Sequence, residues 1–359
     1  MTEDASKLAR RSEITKEMKM DEWVQQSFEN YRLIKSNLKS GRFGLLESEY
    51  KKHKGPCFVL GSGPSLDLAY DDMKRLGYPI ICGGTQIPTL TVHGIGPRWL
   101  LLYDTHPHNW RFIRPDKIDY PLTTLITYPS CPPRILEQWK GPVALYRLGV
   151  AYHKSTIESA TMTIGEFLER YKPNPEDHMS YFMRDEHGIF FKSIIGRAYP
   201  EIKVLILSTS CTPNHACIIA DFLGYDPIYL VGVDNGYTYG KKRAQIYLWS
   251  NGEFTPRDTP DAPKDAILSE NGVPTDEQMI AYKIALVHIS RTVDAQIYEV
   301  GDPRNPGINN YFPTVSWPGV SRKNLPVWTR EEKTKRVAEY LLAHGSTIVP
   351  PEIARQVRG

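Results

Sequence analysis

GPCFVLGSGPSLD, residues 55–67, decides how this chain is read. Cys57–Leu60 is apolar without alternation, the pattern of a strand covered on both faces. It breaks into Gly61-Ser62-Gly63 and then Pro64-Ser65-Leu66-Asp67. A strand that ends in Gly-x-Gly and feeds a helix can wrap backbone N–H groups around an anion. Glycine permits positive φ and close approach of a ligand, and the helix end adds a favourable dipole. Pro64 suits a first helical turn, where its missing N–H would be unpaired anyway. Ser65 offers a hydroxyl to phosphate or to the helix end. Two familiar phosphate loops do not fit. No lysine follows as a P-loop requires, and Leu66 stands where the dinucleotide fingerprint has its third glycine. The competing reading is a tight strand-to-helix turn with no ligand.

Outward from this stretch, short apolar runs alternate with helical or looped segments. They are Cys57–Leu60, Pro79–Cys82, Trp99–Tyr103, Leu122–Thr127, Val143–Leu148, Lys203–Leu207, Ile228–Val233 and Ile297–Val300. The alternation predicts an α/β fold, a doubly wound and mostly parallel sheet, with helical N- and C-terminal additions. Residues 1–54 read as a charged helical extension, with Val24, Phe28, Tyr31, Ile34 and Leu38 on one stripe. Residues 55–325 read as the nucleotide-binding catalytic domain, and 326–359 as a helical tail. Residues 150–200 read as helical and looped, broken at YKPNPEDH. Residues 240–274, rich in Gly, Pro, Asp and Lys, read as a loop or lid insertion. Thr275 with Gln278, and Thr329 with Glu332, have capping-box spacing ahead of two further helices.

Ligands of open α/β sheets sit beyond the carboxyl ends of the strands, so the other strand ends supply the remaining candidates. PIICGGTQ closes with Gly83, Gly84 and Thr85. WLLLYDTHPHN closes with Asp104, His106 and His108, which would share one side of an extended segment. That set reads as an acid/base cluster, a metal site centred on Asp104, or an ordinary hydrogen-bonded loop. After the run ending at Ser208–Ser210, Thr212 reads as a helix cap and Pro213 as first turn. His215 then lies at a helix N-terminus opening toward the crevice, a position that disfavours imidazolium and keeps a base neutral. A capping-region histidine satisfied by backbone is the alternative. The next strand delivers Asp234, with Asn235, Tyr237 and Tyr239 beyond it as groups that could steady phosphate oxygens.

The bulk numbers exclude several classes. Mean hydropathy is −0.40, and no apolar run approaches the ~20 residues of a membrane-spanning helix. The N-terminal stretch is charged throughout and lacks a signal-peptide core, so a cytoplasmic protein is expected. The five cysteines, Cys57, Cys82, Cys131, Cys211 and Cys217, form no CxxC pair and read as buried fillers. Net charge is +3. Lys241, Lys242 and Arg243 form a basic cluster that would meet an anionic substrate or remain a solvated loop.

GSGPSLD after a strand, HGIGPRWLLLYD, and ADFLGYDPIYLVGVD together resemble the motility accessory factors and the archaeal 6-hydroxymethylpterin diphosphokinase-like (MptE-like) proteins. That family is similar in fold to the bacterial sialyltransferases that use CMP-activated sugars. The resemblance covers roughly residues 55–315 and implies a Rossmann-like domain. By it, Gly61, Ser62, Gly63, Pro64 and Ser65 would hold a donor's phosphate and ribose. Asp104 falls at the family's acidic strand end, and Asp234 matches the aspartate of its later block. The diphosphokinases carry a more acidic segment where this chain reads YDTHPHN.

Three functions are expected from this reading. The first is a glycosyltransferase using a nucleotide-activated sugar, CMP-linked by the resemblance, with His215 or His106 taking a proton from an acceptor hydroxyl and Asp104 and Asp234 beside them. Gly84, Thr85, Thr212, Asn235 and Tyr237 would complete its nucleotide site. The second is an ATP-dependent diphosphokinase, in which Asp104 would carry Mg²⁺ between phosphates. The third is a non-catalytic nucleotide-binding protein. No organic cofactor is implied. The acceptor is left open among a glycan, a protein, a small molecule and DNA, and oligomeric state is not legible.

Overall fold

The computed structural model describes residues 26–149, 198–301, 311–320 and 325–343, apart from positions 28, 105, 208, 210, 270 and 271. The readings made for Val24, Phe28, most of 150–200, Ser208 and Ser210 lie outside the described residues.

Nine strands form one sheet in the order β1-β6-β5-β4-β3-β2-β9-β14-β15. They are β1 (Phe43–Leu45), β2 (Cys57–Leu60), β3 (Ile80–Gly83), β4 (Trp99–Leu101), β5 (Thr124–Thr127), β6 (Val143–Leu145), β9 (Ile228–Val231), β14 (Ile297–Val300) and β15 (Thr314–Val315). Every pairing among them is parallel. The chain builds outward from β2 through β3, β4, β5 and β6, then returns to lay β9 on the other side of β2 and continues to β14. The reversal between β2 and β9 is the topological switch point of a doubly wound sheet, where a crevice opens beyond the strand ends.

The uninterrupted apolar runs have a direct cause in the packing. Phe58, Leu60, Ile80, Cys82, Leu100 and Tyr229 face one buried layer. Cys57, Val59, Ile81, Trp99, Leu101 and Leu230 face the other. Helices cover both faces, so alternate positions are equally apolar. On the first face lie α1 (Tyr31–Lys39), α2 (Tyr70–Leu76) and α3 (Ile87–Val92), followed in the chain by the short α4 (Trp110–Ile113) and α5 (Pro133–Gln138). The second face is covered chiefly by α6 (Thr212–Leu223) and α7 (Glu277–Ser290). The last helix, α8 (Arg330–Ala343), packs on α7. Cys57, Cys82, Cys131 and Cys217 are buried, and burial pushes each thiol up, as fits inert fillers.

Three local expectations change. The N-terminal extension is not merely helical, because β1 lies within it and forms the sheet edge against β6. The cap of α7 is Asp276 rather than Thr275: its carboxylate accepts from the N–H of Met279 at 2.8 Å. Thr275 instead donates its hydroxyl to the Asn235 carbonyl at 2.9 Å. The 240–274 insertion is folded, with an antiparallel hairpin of β10 (Ile246–Ser250) and β11 (Glu253–Arg257) and a short antiparallel pair of β12 (Ile267–Leu268) and β13 (Pro274–Thr275). β7 (Arg147–Gly149) and β8 (Leu205–Leu207) form a separate parallel pair. The second capping box does form: Thr329 N–H donates to the Glu332 carboxylate at 2.7 Å, and Glu332 N–H to the Thr329 hydroxyl at 3.1 Å.

Candidate functional site

The turn after β2 sits at the switch point, as its position in the sequence requires, but its two glycines serve the fold. A Cβ on Gly61 would lie 2.1 Å from the carbonyl oxygen of Gly232 and 2.9 Å from Cα of Val233. A Cβ on Gly63 would lie 2.6 Å from Cγ of Asp234. Neither residue has positive φ. Both are glycine because the segment after β9 runs against the turn.

The amides of this turn are largely committed to the protein, which corrects the expected anion cradle. Gly61 N–H donates to Val231 O at 2.8 Å, Gly63 N–H to Gly232 O at 2.7 Å and Leu66 N–H to Gly63 O at 3.0 Å. Ser65 N–H donates to Asp234 Oδ2 at 2.9 Å, and the Ser65 hydroxyl is also taken by Asp234. Pro64 has no N–H. Ser62, exposed at the tip, keeps the one N–H of the turn without an acceptor among the described residues. Nor does a regular helix begin here. A 3-10 turn (Pro64–Leu68) comes first, and the seven-residue α2 starts only at Tyr70.

Asp234 is therefore a clamp at the switch point. It is buried, accepts from Ser65 and from the Thr238 hydroxyl at 2.5 Å, and so ties the ends of β2 and β9 together. Burial pushes its carboxyl up, against the lowering effect of those donors. This placement removes it from the catalytic set, since its oxygens face the turn and not the crevice.

What faces the crevice is a small polar rim. The Ser62 and Thr85 hydroxyls stand 3.2 Å apart. Gln86 donates to the Ser62 hydroxyl at 2.5 Å and accepts from Gly83 N–H at 2.7 Å. Thr212, at the start of α6, approaches to 3.0 Å of the position a Gly83 Cβ would take, and Asn109 Oδ1 to 3.2 Å of one on Gly84. The loops after β2, β3 and β4 and the start of α6 thus meet in one place. The 240s segment is fastened across the same turn. Ala244 N–H donates to Ser62 O at 2.9 Å, and Gln245 N–H to the Asp67 carboxylate at 2.9 and 3.0 Å. This brings the Lys241–Arg243 cluster to the turn. Lys241 is paired with Asp261 at 2.6 Å.

Two other predicted residues sit differently from expectation. His215 is fully buried. Its ring stacks on Tyr103 at 4.5 Å and lies 5.6 Å from Tyr146. Neither ring nitrogen has a partner among the described residues, and desolvation lowers its pKa to about 3. It is neutral as foreseen, but enclosed and not open to the crevice. Tyr237 is buried, and its hydroxyl donates to Asp276 at 2.5 Å, so it does not present a donor to phosphate. Asn235 adopts φ +47°, which asparagine tolerates better than most residues.

The segment after β4 is folded back on itself, not extended. Asp104 accepts from His106 N–H at 3.1 Å, and His106 Nδ1 accepts from His108 N–H at 3.1 Å, over a 3-10 turn (Pro107–Asn109). With Nδ1 as acceptor, the ring proton of His106 is on Nε2. Among the described residues no three His, Cys, Asp or Glu side chains form a metal-holding group. Asp104 offers a single exposed carboxylate, and Mg²⁺ carried on substrate phosphates takes one or two such ligands from the protein.

One buried acid lies outside every sequence reading. Glu299, on β14, is buried, and its Oε2 has no hydrogen-bond partner among the described residues. Burial, then the charge of Asp234, raise its carboxyl well above the usual range, while Lys283 opposes them. A carboxyl raised on folding stabilises fully below its unfolded value, and that contribution is lost as pH rises through the folded value. Glu299→Gln cannot ionise. It is expected to match the wild type near pH 4 and to become more stable than it by about 1–3 kcal/mol at pH 8, read from urea midpoints at the two pH values.

Residues 29–170 match the model of the family described as 6-hydroxymethylpterin diphosphokinase MptE-like. That segment is similar to the MptE-like family. It spans β1 to β6 and so carries the Gly61–Ser65 turn, the Gly83–Thr85 turn and the Asp104–Asn109 loop. The MptE-like segment ends before β9, so the Asp234 clamp is contributed from outside it. Among solved structures, the MAf glycosyltransferase from Magnetospirillum magneticum AMB-1 is similar at 19% identity and a TM-score of 0.46. The likeness covers 84% of this chain and 42% of that one, so the chain spans less than half of that protein's length. No curated protein matches the sequence. No described helix is long and apolar enough to cross a membrane.

Proposed function

We propose that this chain is a transferase that takes a nucleotide-activated donor at the β2/β9 switch point, and specifically a glycosyltransferase using a CMP-linked sugar. The observation that carries the reading is the exposed Ser62. Its N–H and its hydroxyl stand beside Thr85 at the mouth of the crevice, and the Lys242–Arg243 segment is fastened over them through Ala244. These groups replace the full amide cradle as donors to a phosphate, with lysine and arginine supplying charge. Thr212, at the N-terminus of a twelve-residue helix, adds a further hydroxyl to the rim. Asp104, exposed at the end of β4, takes the general-base role for an acceptor hydroxyl, and His106 Nε2–H is a donor beside it. His215, Tyr237 and Asp234 hold the surrounding framework.

A second reading, an ATP-dependent diphosphokinase, draws support from the family match. The exposed Asp104 serves either reaction, as base for an acceptor hydroxyl or as a ligand to Mg²⁺ carried on the nucleotide phosphates.

A thermal-shift series tests both. CMP and CMP-sugars at about 100 times Kd are expected to raise Tm by a few degrees without added metal, since binding at that excess stabilises by about 2.7 kcal/mol. Ser62→Glu, exposed and so compatible with the fold, places a negative charge where the phosphate would sit and is expected to abolish the shift. A response to ATP with Mg²⁺ alone would select the diphosphokinase. Silence toward every nucleotide would remove both readings.

A further inference from the structure

Beside the Asp104–Asn109 loop a separate cleft of about 600 Å³ opens between that loop, α4 and the start of α5. Its size is that of a small-molecule site. Arg111, Arg134, His106 and His108 line it together with Trp110, and Glu29 is the acid at its edge.

Two features separate this cleft from an ordinary solvated surface. First, its arginines are not neutralised. The neighbouring Arg114 is held by Asp116 through two hydrogen bonds, at 2.8 and 2.7 Å. Arg111 and Arg134 have no carboxylate partner among the described residues. Second, Arg134 is held in place, its guanidinium lying 3.8 Å from the centre of the Trp110 ring. A guanidinium held over an indole keeps N–H donors available and loses less freedom when an anion docks. His106 adds the Nε2–H fixed by its own loop.

We propose that this cleft binds an anionic, sugar-sized acceptor, a hydroxyl compound carrying a phosphate or carboxylate group. The assignment of an acceptor rests on the donor reading above. The loop that lines the cleft at His106–His108 continues to Asn109, whose Oδ1 comes within 3.2 Å of a Cβ built on Gly84 at the donor site. An acceptor anchored by Arg111 and Arg134 would then have its hydroxyl near Asp104, two residues before His106. The anion supplies affinity and orientation, and the step itself remains attack of the acceptor oxygen on the donor sugar with loss of the nucleotide.

The test titrates the full chain calorimetrically with inorganic pyrophosphate at low ionic strength. Arg111→Gln/Arg134→Gln is expected to weaken binding at the cleft at least tenfold while leaving Tm and the response to CMP unchanged. Arg134→Lys, which keeps the charge and loses the guanidinium, is expected to fall between. Unchanged pyrophosphate binding in the double variant would overturn the site. In the wild type, competition by glucose 6-phosphate or by glucuronate, against neutral glucose, tells a phosphate-bearing from a carboxylate-bearing ligand. Displacement by neither would overturn the assignment to an anionic sugar. If the chain ignores CMP while the double variant still loses pyrophosphate, the donor reading falls and the cleft stands as an anion site.

Discussion

Gly61→Ala is expected to unfold the protein or leave it insoluble, with a loss of about 4 kcal/mol or more. The added methyl would sit 2.1 Å from the Gly232 carbonyl oxygen and 2.7 Å from its carbon. These are main-chain atoms of the segment leaving the adjacent strand, so no rotamer change can make room. Relief requires β2 and β9 to separate, and those are the central strands of the sheet, buried on both faces. Gly96→Ala is the control. No atom lies within 4 Å of its added methyl and its φ is not positive, so it should stay within about 0.5 kcal/mol of the wild type. Equilibrium denaturation of the two variants decides the matter. Comparable midpoints would show that the sheet yields at Gly61 and that the glycine there has some other purpose.

The same geometry explains what could and could not be read from the chain. All eight apolar runs contain strands, seven of them in the large sheet, because a parallel sheet covered on both faces leaves a mark, unbroken apolarity, that local sequence displays. Gly-Ser-Gly-Pro-Ser marked the switch point for a related reason: main chain meeting main chain needs glycine, and a stretch of 13 residues shows it. The purpose of those glycines was not legible. The pressure on them comes from Gly232, Val233 and Asp234, some 170 residues later, and glycine kept for a neighbouring strand looks the same as glycine kept for a phosphate. His215 failed for the opposite reason. Its place at the start of α6 was read correctly, but the rings of Tyr103 and Tyr146 that enclose it arrive from other strand ends. Asp104, His106 and His108 were expected on one side of an extended segment, and Pro107 instead begins a turn in which side chains cap one another's amides. Gln86 carried a usable signal, since a glutamine three residues after Gly83 has the spacing to return its side chain to that amide. Arg134 carried none, because only its packing on Trp110 distinguishes it from other surface arginines.

Asp234→Ala is the second large effect expected. It would leave the Ser65 N–H, the Ser65 hydroxyl and the Thr238 hydroxyl without their acceptor, next to a void beside Gly63. Unsatisfied donors at about 1–3 kcal/mol each, only partly relieved by entering water, give a loss of about 3–5 kcal/mol. Asp234→Asn keeps the shape and one acceptor oxygen, and should cost about half as much. Its cost should also depend on pH. Because burial raises the Asp234 carboxyl, its contribution is full below the ordinary aspartate value and is lost as pH rises through the folded one. The gap between wild type and Asp234→Asn should therefore narrow from pH 5 to pH 8, as denaturation midpoints can show. A gap that widened with pH would mean that the carboxylate, and not its protonated form, is what the fold prefers. A coupling measurement separates the clamp from a merely buried acid. Gly63→Ala collides with Cγ and Cβ of Asp234, at 2.6 and 2.8 Å. Combining it with Asp234→Gly removes both atoms, so the double variant should cost clearly less than the two single costs added. No such rescue is open to Gly61, whose neighbours are backbone. If Gly63→Ala and Asp234→Gly prove additive, the two residues do not share the contact on which the clamp depends, and the turn must be held by its own hydrogen bonds.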